Sequence, residues 1–235
     1  MTDWPTCNAR GFANSFAGMT SRSSGIDSRF RRNDDVRDSP KPSDITLGIL
    51  AGGRASRLGG LDKAWLRRDG LPQVLRWRDR FASEVTAILV SANRDLARYH
   101  ACGLDVVADG IAADIGPLAG LAALAPVCRT PWLLTIPVDL VSINDCLLQK
   151  LVAGCAPDGA CACDDDGVQP LVALWRVAPL GPAVRAAIDR GDVAVHALQR
   201  RLELASVHFQ GVRFGNLNTP DDLAAVGIQS MSEPP

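Results

Sequence analysis

The chain has no excess of charge of either sign: 25 Lys and Arg stand against 26 Asp and Glu, a net charge of −1 over 235 residues. That balance excludes a general attraction to nucleic acid or to an anionic membrane surface, so any anion site must be built locally. No apolar run reaches the roughly 18–20 residues needed to span a bilayer, and no stretch reads as a secretory leader. The cysteines (Cys7, Cys102, Cys128, Cys146, Cys155, Cys161, Cys163) are odd in number and form no Cys-x-x-Cys pair. Cys155, Cys161 and Cys163 lie near one another, but His100, His196 and His208 stand at no zinc spacing from them. Free thiols in a reducing, cytoplasmic compartment are the expectation. No Ser-His or Cys-His nucleophile pattern is evident. What remains is an ordinary globular composition, 47% hydrophobic and 22% charged, in a chain long enough for one α/β domain or two small ones.

Residues 1–44 differ from the rest. They mix Ser, Asn, Gly, Asp and Arg without period and end in Ser39-Pro-Lys-Pro-Ser43, a composition that buries little apolar surface, so a disordered N-terminal tail is expected. The stretch from Asp27 to Asp35 also resembles translated interspersed repeats of some bacterial genomes, which puts the start of the working chain downstream. A second disordered tail is expected over 228–235.

Between them, from 45 to 227, short apolar runs alternate with helical patterns. Ile45–Ala51, Ala87–Ser91, Leu104–Ala108 and Pro131–Pro137 read as buried strands. Pro72 opens a helix with Val74, Trp77 or Arg78, Phe81 and Val85 on one face, and helices follow over 118–125, 144–153 and 180–189. Further strands are expected near 159–163 and 170–176, with a last helix starting at Thr219. The alternation predicts a single doubly wound α/β domain: a mostly parallel sheet with right-handed crossovers, helices on both faces, and ligands at the carboxyl ends of the strands.

The first strand runs into Leu50-Ala-Gly-Gly-Arg-Ala-Ser-Arg-Leu-Gly-Gly-Leu-Asp-Lys63. Glycines at 52, 53, 59 and 60 let backbone N–H groups approach an anion, and Arg54, Arg57 and Lys63 add full charges. The string is neither Gly-x-x-x-x-Gly-Lys-[Ser/Thr] nor Gly-x-Gly-x-x-Gly, so a Walker loop and a dinucleotide fingerprint are excluded there. Asp164-Asp-Asp166, followed by Gly167, reads as a solvated hairpin turn rather than a metal site. Thr219-Pro-Asp-Asp222 reads as a helix start, with Thr219 as N-cap and Pro220 at the first helical position.

The fourteen-residue string resembles the opening loop of the molybdenum cofactor guanylyltransferases, and the resemblance extends from about Ile45 to Val226. It implies a Rossmann-like nucleotidyltransferase fold with Leu50, Ala51, Gly52 and Gly53 at the nucleotide and Lys63 and Arg57 on its phosphates. Ser91-Ala-Asn-Arg94 is similar to the family's Asn-Ala-Asn-Arg, with Ser91 standing where the family's guanosine-contacting Asn stands and Asn93 beside it. Asp109 matches the family's nucleotide-binding Asp, and Gly116-Pro-Leu-Ala-Gly120 its glycine turn at the site. Asp139, after Thr135-Ile-Pro-Val, matches the Mg²⁺ ligand, and a single hard carboxylate opposite a triphosphate suits that ion. Gln169-Pro170 resembles a pair facing the second substrate. Gly215-Asn-Leu-Asn-Thr-Pro matches a segment whose asparagines, here Asn216 and Asn218, lie toward the pterin. Gly191-Asp-Val-Ala-Val-His196 departs from the family by lacking a basic residue.

The implied partners are GTP and molybdopterin or molybdenum cofactor, with molybdoenzymes or their chaperones downstream, no nucleic acid, no membrane, and a monomer or weak homo-oligomer. The implied reaction is attack of the pterin phosphate on the α-phosphorus of GTP, with pyrophosphate leaving; Arg57, Lys63 and Asp139 carry it by alignment and charge neutralisation. Ser91 and Asp192 leave two competing expectations, a relative using CTP or a sugar phosphate and a non-catalytic nucleotide-binding homologue.

Overall fold

Ile45–Leu50 (β1) is buried along its whole length, as an apolar strand covered on both faces must be. In the computed structural model, which describes residues 39–52, 62–110 and 115–228, β1 pairs in parallel with Ala87–Ser91 (β4) and Trp132–Pro137 (β6). Asp105–Val107 (β5) extends the sheet beyond β4, also in parallel. On the other side of β6 come Gly167–Arg176 (β8), Gly159–Asp164 (β7) and Ala205–His208 (β9), giving the order β5-β4-β1-β6-β8-β7-β9. Only β8 runs against the other six, because β7 and β8 form a hairpin. The mostly parallel α/β sheet is as expected, with β8 its one reversed strand. Arg67–Arg68 (β2) and Leu71–Pro72 (β3) make a separate two-stranded ribbon.

Helices cover both faces. Gln73–Phe81 (α1), Leu96–Ala101 (α2) and Leu147–Ala153 (α4) lie on one side, where Val74, Trp77, Phe81, Tyr99 and Leu148 pack on Ile45, Leu47 and Ile49. Pro117–Val127 (α3), Val177–Asp189 (α5) and Val195–Arg201 (α6) lie on the other, around Leu121, Leu124, Trp175, Leu180 and Leu198. Buried polar groups there are paired: the Trp175 indole donates to Thr135 Oγ1 at 2.8 Å, and that hydroxyl donates to the Leu171 carbonyl at 2.9 Å. The absence of side chains at 48 and 120 lets α3 sit close to the sheet. A Cβ at Gly48 would meet Leu124 Cδ1 at 2.7 Å, and one at Gly120 would meet Leu50 Cδ2 at 2.7 Å.

Pro220–Ala225 (α7) starts as the sequence predicts. Thr219 Oγ1 accepts from the Asp222 N–H, the Thr219 N–H donates to the Asp222 carboxylate at 2.8 Å, and Pro220 holds the first position. Pro42–Asp44 is a 3₁₀ turn leading into β1, and Ile228 is buried with Leu66, Leu217 and Leu223. Residues 1–38 and 229–235 of the expected tails lie outside the described residues. Cys102, Cys128, Cys155, Cys161 and Cys163 are free thiols, as expected, whereas Cys146 is disulfide-bonded.

Gly159 opens β7 with φ +144°, and a Cβ there would lie 2.2 Å from the Leu174 carbonyl oxygen of β8. Gly159→Ala therefore destabilises the fold by roughly 2 kcal/mol or more, from backbone strain plus the clash. The expected readout is a lower urea midpoint at unchanged m-value.

Candidate active site

A cavity of about 660 Å³ opens at the carboxyl ends of β1, β4 and β6. Its floor is the end of β1, Leu50 to Gly52, tied to its neighbours by Ala51 N–H to Ser91 O at 2.8 Å and Val138 N–H to Leu50 O at 3.0 Å. One wall carries Asn93, Arg94 and Asp109; the other carries Asp62, Lys63 and Asp139; the start of α3, from Gly116 to Ala119, closes the back. The positive end of an eleven-residue helix thus faces the space.

On the first wall, Asp109 is held by neutral donors. Ser91 Oγ donates to its Oδ1 at 2.5 Å, Asn93 Nδ2 donates to its Oδ2 at 3.0 Å, and the Asp109 N–H returns a bond to Asn93 Oδ1 at 2.9 Å. A Cβ at position 52 would lie 2.8 Å from Asp109 Oδ2, so the carboxylate approaches β1 this closely only across a glycine.

The second wall is assembled from three distant segments. The Lys63 ammonium donates to Asp139 Oδ2 at 2.7 Å and to Asn218 Oδ1 at 2.8 Å. Lys63 begins a 3₁₀ turn, Lys63–Trp65, capped by Asp62, whose carboxylate accepts from the Ala64 N–H at 3.0 Å. Trp65 anchors that turn, its ring 4.8 Å from Tyr99 and covered by the Arg98 guanidinium at 4.0 Å. Asp139 follows β6 on backbone held from α1: Trp77 Nε1 donates to Val138 O at 3.1 Å and Gln73 Nε2 to Leu140 O at 3.3 Å. The Leu217 N–H donates to Asp139 O at 2.8 Å, which brings Asn218 alongside. Burial raises the Asp62 carboxyl above its ordinary range, against the Ala64 N–H that lowers it.

Of the residues anticipated from sequence, Leu50, Ala51, Gly52, Lys63, Asn93, Asp109 and Asp139 border this one cavity. Gly53 and Arg57 lie outside the described residues. Ser91 and Gly120, anticipated at the nucleotide, lie one layer beneath it. Ser91 is 0% exposed with its hydroxyl engaged by Asp109, and Gly120 makes room for Leu50 and Ser91. The physical reason is that β4 is flanked by β1 and β5 and covered by α3. Asn218 reaches the cavity through Lys63, whereas Asn216 makes a backbone bridge to Leu140 behind Asp139. Gln169 donates to Asp164 at 3.0 Å. Asp165 and Asp166 form the expected exposed hairpin turn, whereas Asp164 beside them is buried at 7% exposure. Asp62 and Arg94 are cavity residues that motif reading used only as spacing; burial beside the motif could not be read from residue types. Among the described residues no group of three or more His, Cys, Asp or Glu could hold a metal.

The sequence matches the family model of the MobA-like NTP transferase domain over residues 47–206. It is 35% identical over 191 residues to the molybdenum cofactor guanylyltransferase of Cupriavidus taiwanensis, covering 77% of this chain and 96% of that protein. To the molybdenum cofactor guanylyltransferase of Acidovorax ebreus it is 39% identical over 155 residues, 60% of this chain and 74% of the relative. Among solved structures, molybdopterin-guanine dinucleotide biosynthesis protein A from Archaeoglobus fulgidus superposes with a TM-score of 0.59 at 19% identity, over 77% of this chain and 96% of that one, a likeness of fold.

The raised Asp62 carboxyl yields a stability prediction. Its ionised form is disfavoured in the folded chain, so it contributes stability below its unfolded value of 3.8 that is lost as pH rises through the folded value. Asp62→Asn keeps the cap acceptor without the charge. It is expected to raise the melting temperature at pH 7, with the gain shrinking as pH falls toward 3.8.

Proposed function

Because the chain belongs to the family of MobA-like NTP transferases and is therefore a nucleotidyltransferase, we propose that it transfers GMP from GTP to molybdopterin or the molybdenum cofactor, releasing pyrophosphate. The observation that carries this reading is the Lys63 ammonium 2.7 Å from the Asp139 carboxylate, at the mouth of a cavity whose far wall presents Asp109. Asp109 is acceptor-only while ionised, which suits the N1–H and N2–H donors of guanine; cytosine and adenine offer one exocyclic amine. Asn93 is the cavity-facing amide of that wall, and Ser91 acts from beneath it on the carboxylate.

The triphosphate lies across the floor from Leu50 to Gly52, with the start of α3 behind it; the resemblance adds Arg57 as a phosphate contact. Asp139 is the residue that would hold Mg²⁺, and a single half-buried carboxylate fits an ion that takes one or two protein oxygens and completes its shell with phosphate and water. When bound, the ion neutralises phosphate charge. The Lys63 ammonium, held between Asp139 and Asn218, has a third donor to offer the phosphates. An oxygen of the acceptor phosphate forms a bond to the α-phosphorus, and the bond from that phosphorus to the oxygen bridging to the β-phosphate breaks. The attacking oxygen is already anionic, so no general base is required; Lys63 offsets the charge growing on pyrophosphate. Asn218 and Asn216 lie on the acceptor side. No helix among the described residues is long and apolar enough to cross a membrane, and the reaction is assigned to the cytoplasm.

Lys63→Ala and Asp139→Ala are each expected to reduce nucleotide transfer to molybdopterin by at least ~10²-fold, the scale of lost transition-state stabilisation. Full activity in both variants would overturn the assignment. In a thermal-shift competition GTP should stabilise the chain more than CTP or ATP at equal concentration, and Asp109→Ala should erase that preference. A larger shift with CTP would point to a cytidylyl transfer instead.

A further inference from the structure

Asp164, the first residue of the acidic run between β7 and β8, is a buried carboxylate held by neutral N–H donors. Its Oδ1 accepts from the Asp166 N–H at 3.0 Å and from Gln169 Nε2 at 3.0 Å, and its Oδ2 accepts from the Phe214 N–H at 2.8 Å. Burial alone would raise this carboxyl, but the bonds from Phe214, Gln169, Asp166 and Gly167 hold it below the ordinary range. The neighbouring Asp165 fastens the same region, its side chain accepting from the Gly211 N–H at 3.1 Å and its N–H donating to Val212 O at 3.0 Å.

The chain leaving Phe214 runs into the site. The Ser142 N–H donates to Phe214 O at 3.0 Å, the Val141 N–H to Gly215 O at 3.3 Å, and the Leu217 N–H to Asp139 O at 2.8 Å, while Asn216 bridges to Leu140. This short antiparallel ladder ends at Asn218, whose Oδ1 takes the Lys63 ammonium at 2.8 Å. Asp164 ties down the end of the ladder away from the site.

We propose that Asp164 is a positioning residue for the transfer step: it docks Phe214–Asn218 onto Asp139–Ser142, so that Asn218 holds Lys63 beside Asp139. The link to activity rests on the proposed nucleotide transfer, but the docking itself does not. The acidic run is thereby an anchor for the acceptor-side wall. A carboxylate is suited to this because its two oxygens can receive three donors from two directions, which an amide cannot do with its nitrogen end.

The full chain tests this with two measurements. In the first, kcat is compared across Asp164→Ala, Asn218→Ala and the double variant. Asp164→Ala is expected to lower kcat ~10-fold or more through misplacement of Lys63, with the KM for GTP changed less than about 3-fold. In the Asn218→Ala background the further loss should shrink below about 2-fold, the non-additivity of residues acting along one path. Asp164→Asn, which keeps one acceptor oxygen for Phe214, should recover most of kcat, and Asp164→Ser carries the cycle if the alanine variant does not fold. Losses that multiply across the cycle would overturn the proposal, as would a variant with a lowered melting temperature and unchanged kcat. In the second, hydrogen exchange should quicken over residues 212–218 in the Asp164 variants while β1 and β6 keep their protection. Unchanged exchange over 212–218 also overturns it. A wild-type chain that transfers no nucleotide would sink the functional reading alone, and the exchange measurement would then decide the docking.

Discussion

Parallel pairing of β1 with β6 is the constraint from which the site hangs. The register sets Leu50 opposite Pro137, so the loop leaving β1 and the turn carrying Asp139 emerge side by side at one edge. Lys63 and Asp139 are 76 positions apart in the chain, yet their side chains meet at 2.7 Å because of this single pairing. Adding β4 on the other flank brings Asn93 to the same edge, and β5 beyond it brings Asp109. Two walls therefore face each other across the end of β1. The apolar side chains that bury β1 on both faces hold them there.

The polar groups around the cavity are stabilised in three different ways. Asp139 is paired with an ammonium, Asp109 is held by a hydroxyl and an amide donor, and Asp164 is satisfied by N–H groups at the end of β7. Asp62 is the opposite case, a carboxyl pushed up by burial beside the cavity. A chain of near-zero net charge thus builds a locally charged cleft, and does so with side chains whose positions are set by neutral neighbours.

Much of the fold was legible because its strands are short apolar runs with turn residues between them. Ala87–Ser91 has the bounds expected of it, and α1 buries Val74, Trp77 and Phe81 at the predicted spacing. Elements with weak local signals escaped. α2 and α6 are only 6 and 7 residues long, and β9 is a half-exposed edge strand of 4, so pairing and packing decide them rather than propensity. The reversal of β8 was hidden for the same reason, since residue pattern reports burial and not strand direction. Of the candidate site, Gly52, Lys63, Asn93, Asp109 and Asp139 were readable as motif residues and meet at one cavity. Ser91 and Gly120 belong to the same motifs, but which side of β4 or α3 a residue shows to the ligand is not a property of the motif.

Residue order alone specifies the alternation of apolar strands and helices, the glycine-and-cation string after β1, the capped start of α7, and the identity of the groups available to bind phosphate. These are local properties, set by backbone freedom, side-chain chemistry and spacing along the chain. Long-range packing, in contrast, is what makes Asn218 share Lys63 with Asp139, sets Ser91 beneath the cavity wall, and turns Asp164 into an anchor instead of a solvated turn. Each of those depends on segments up to 155 positions apart meeting within hydrogen-bond distance, and burial and register, not residue type, fix which segments meet.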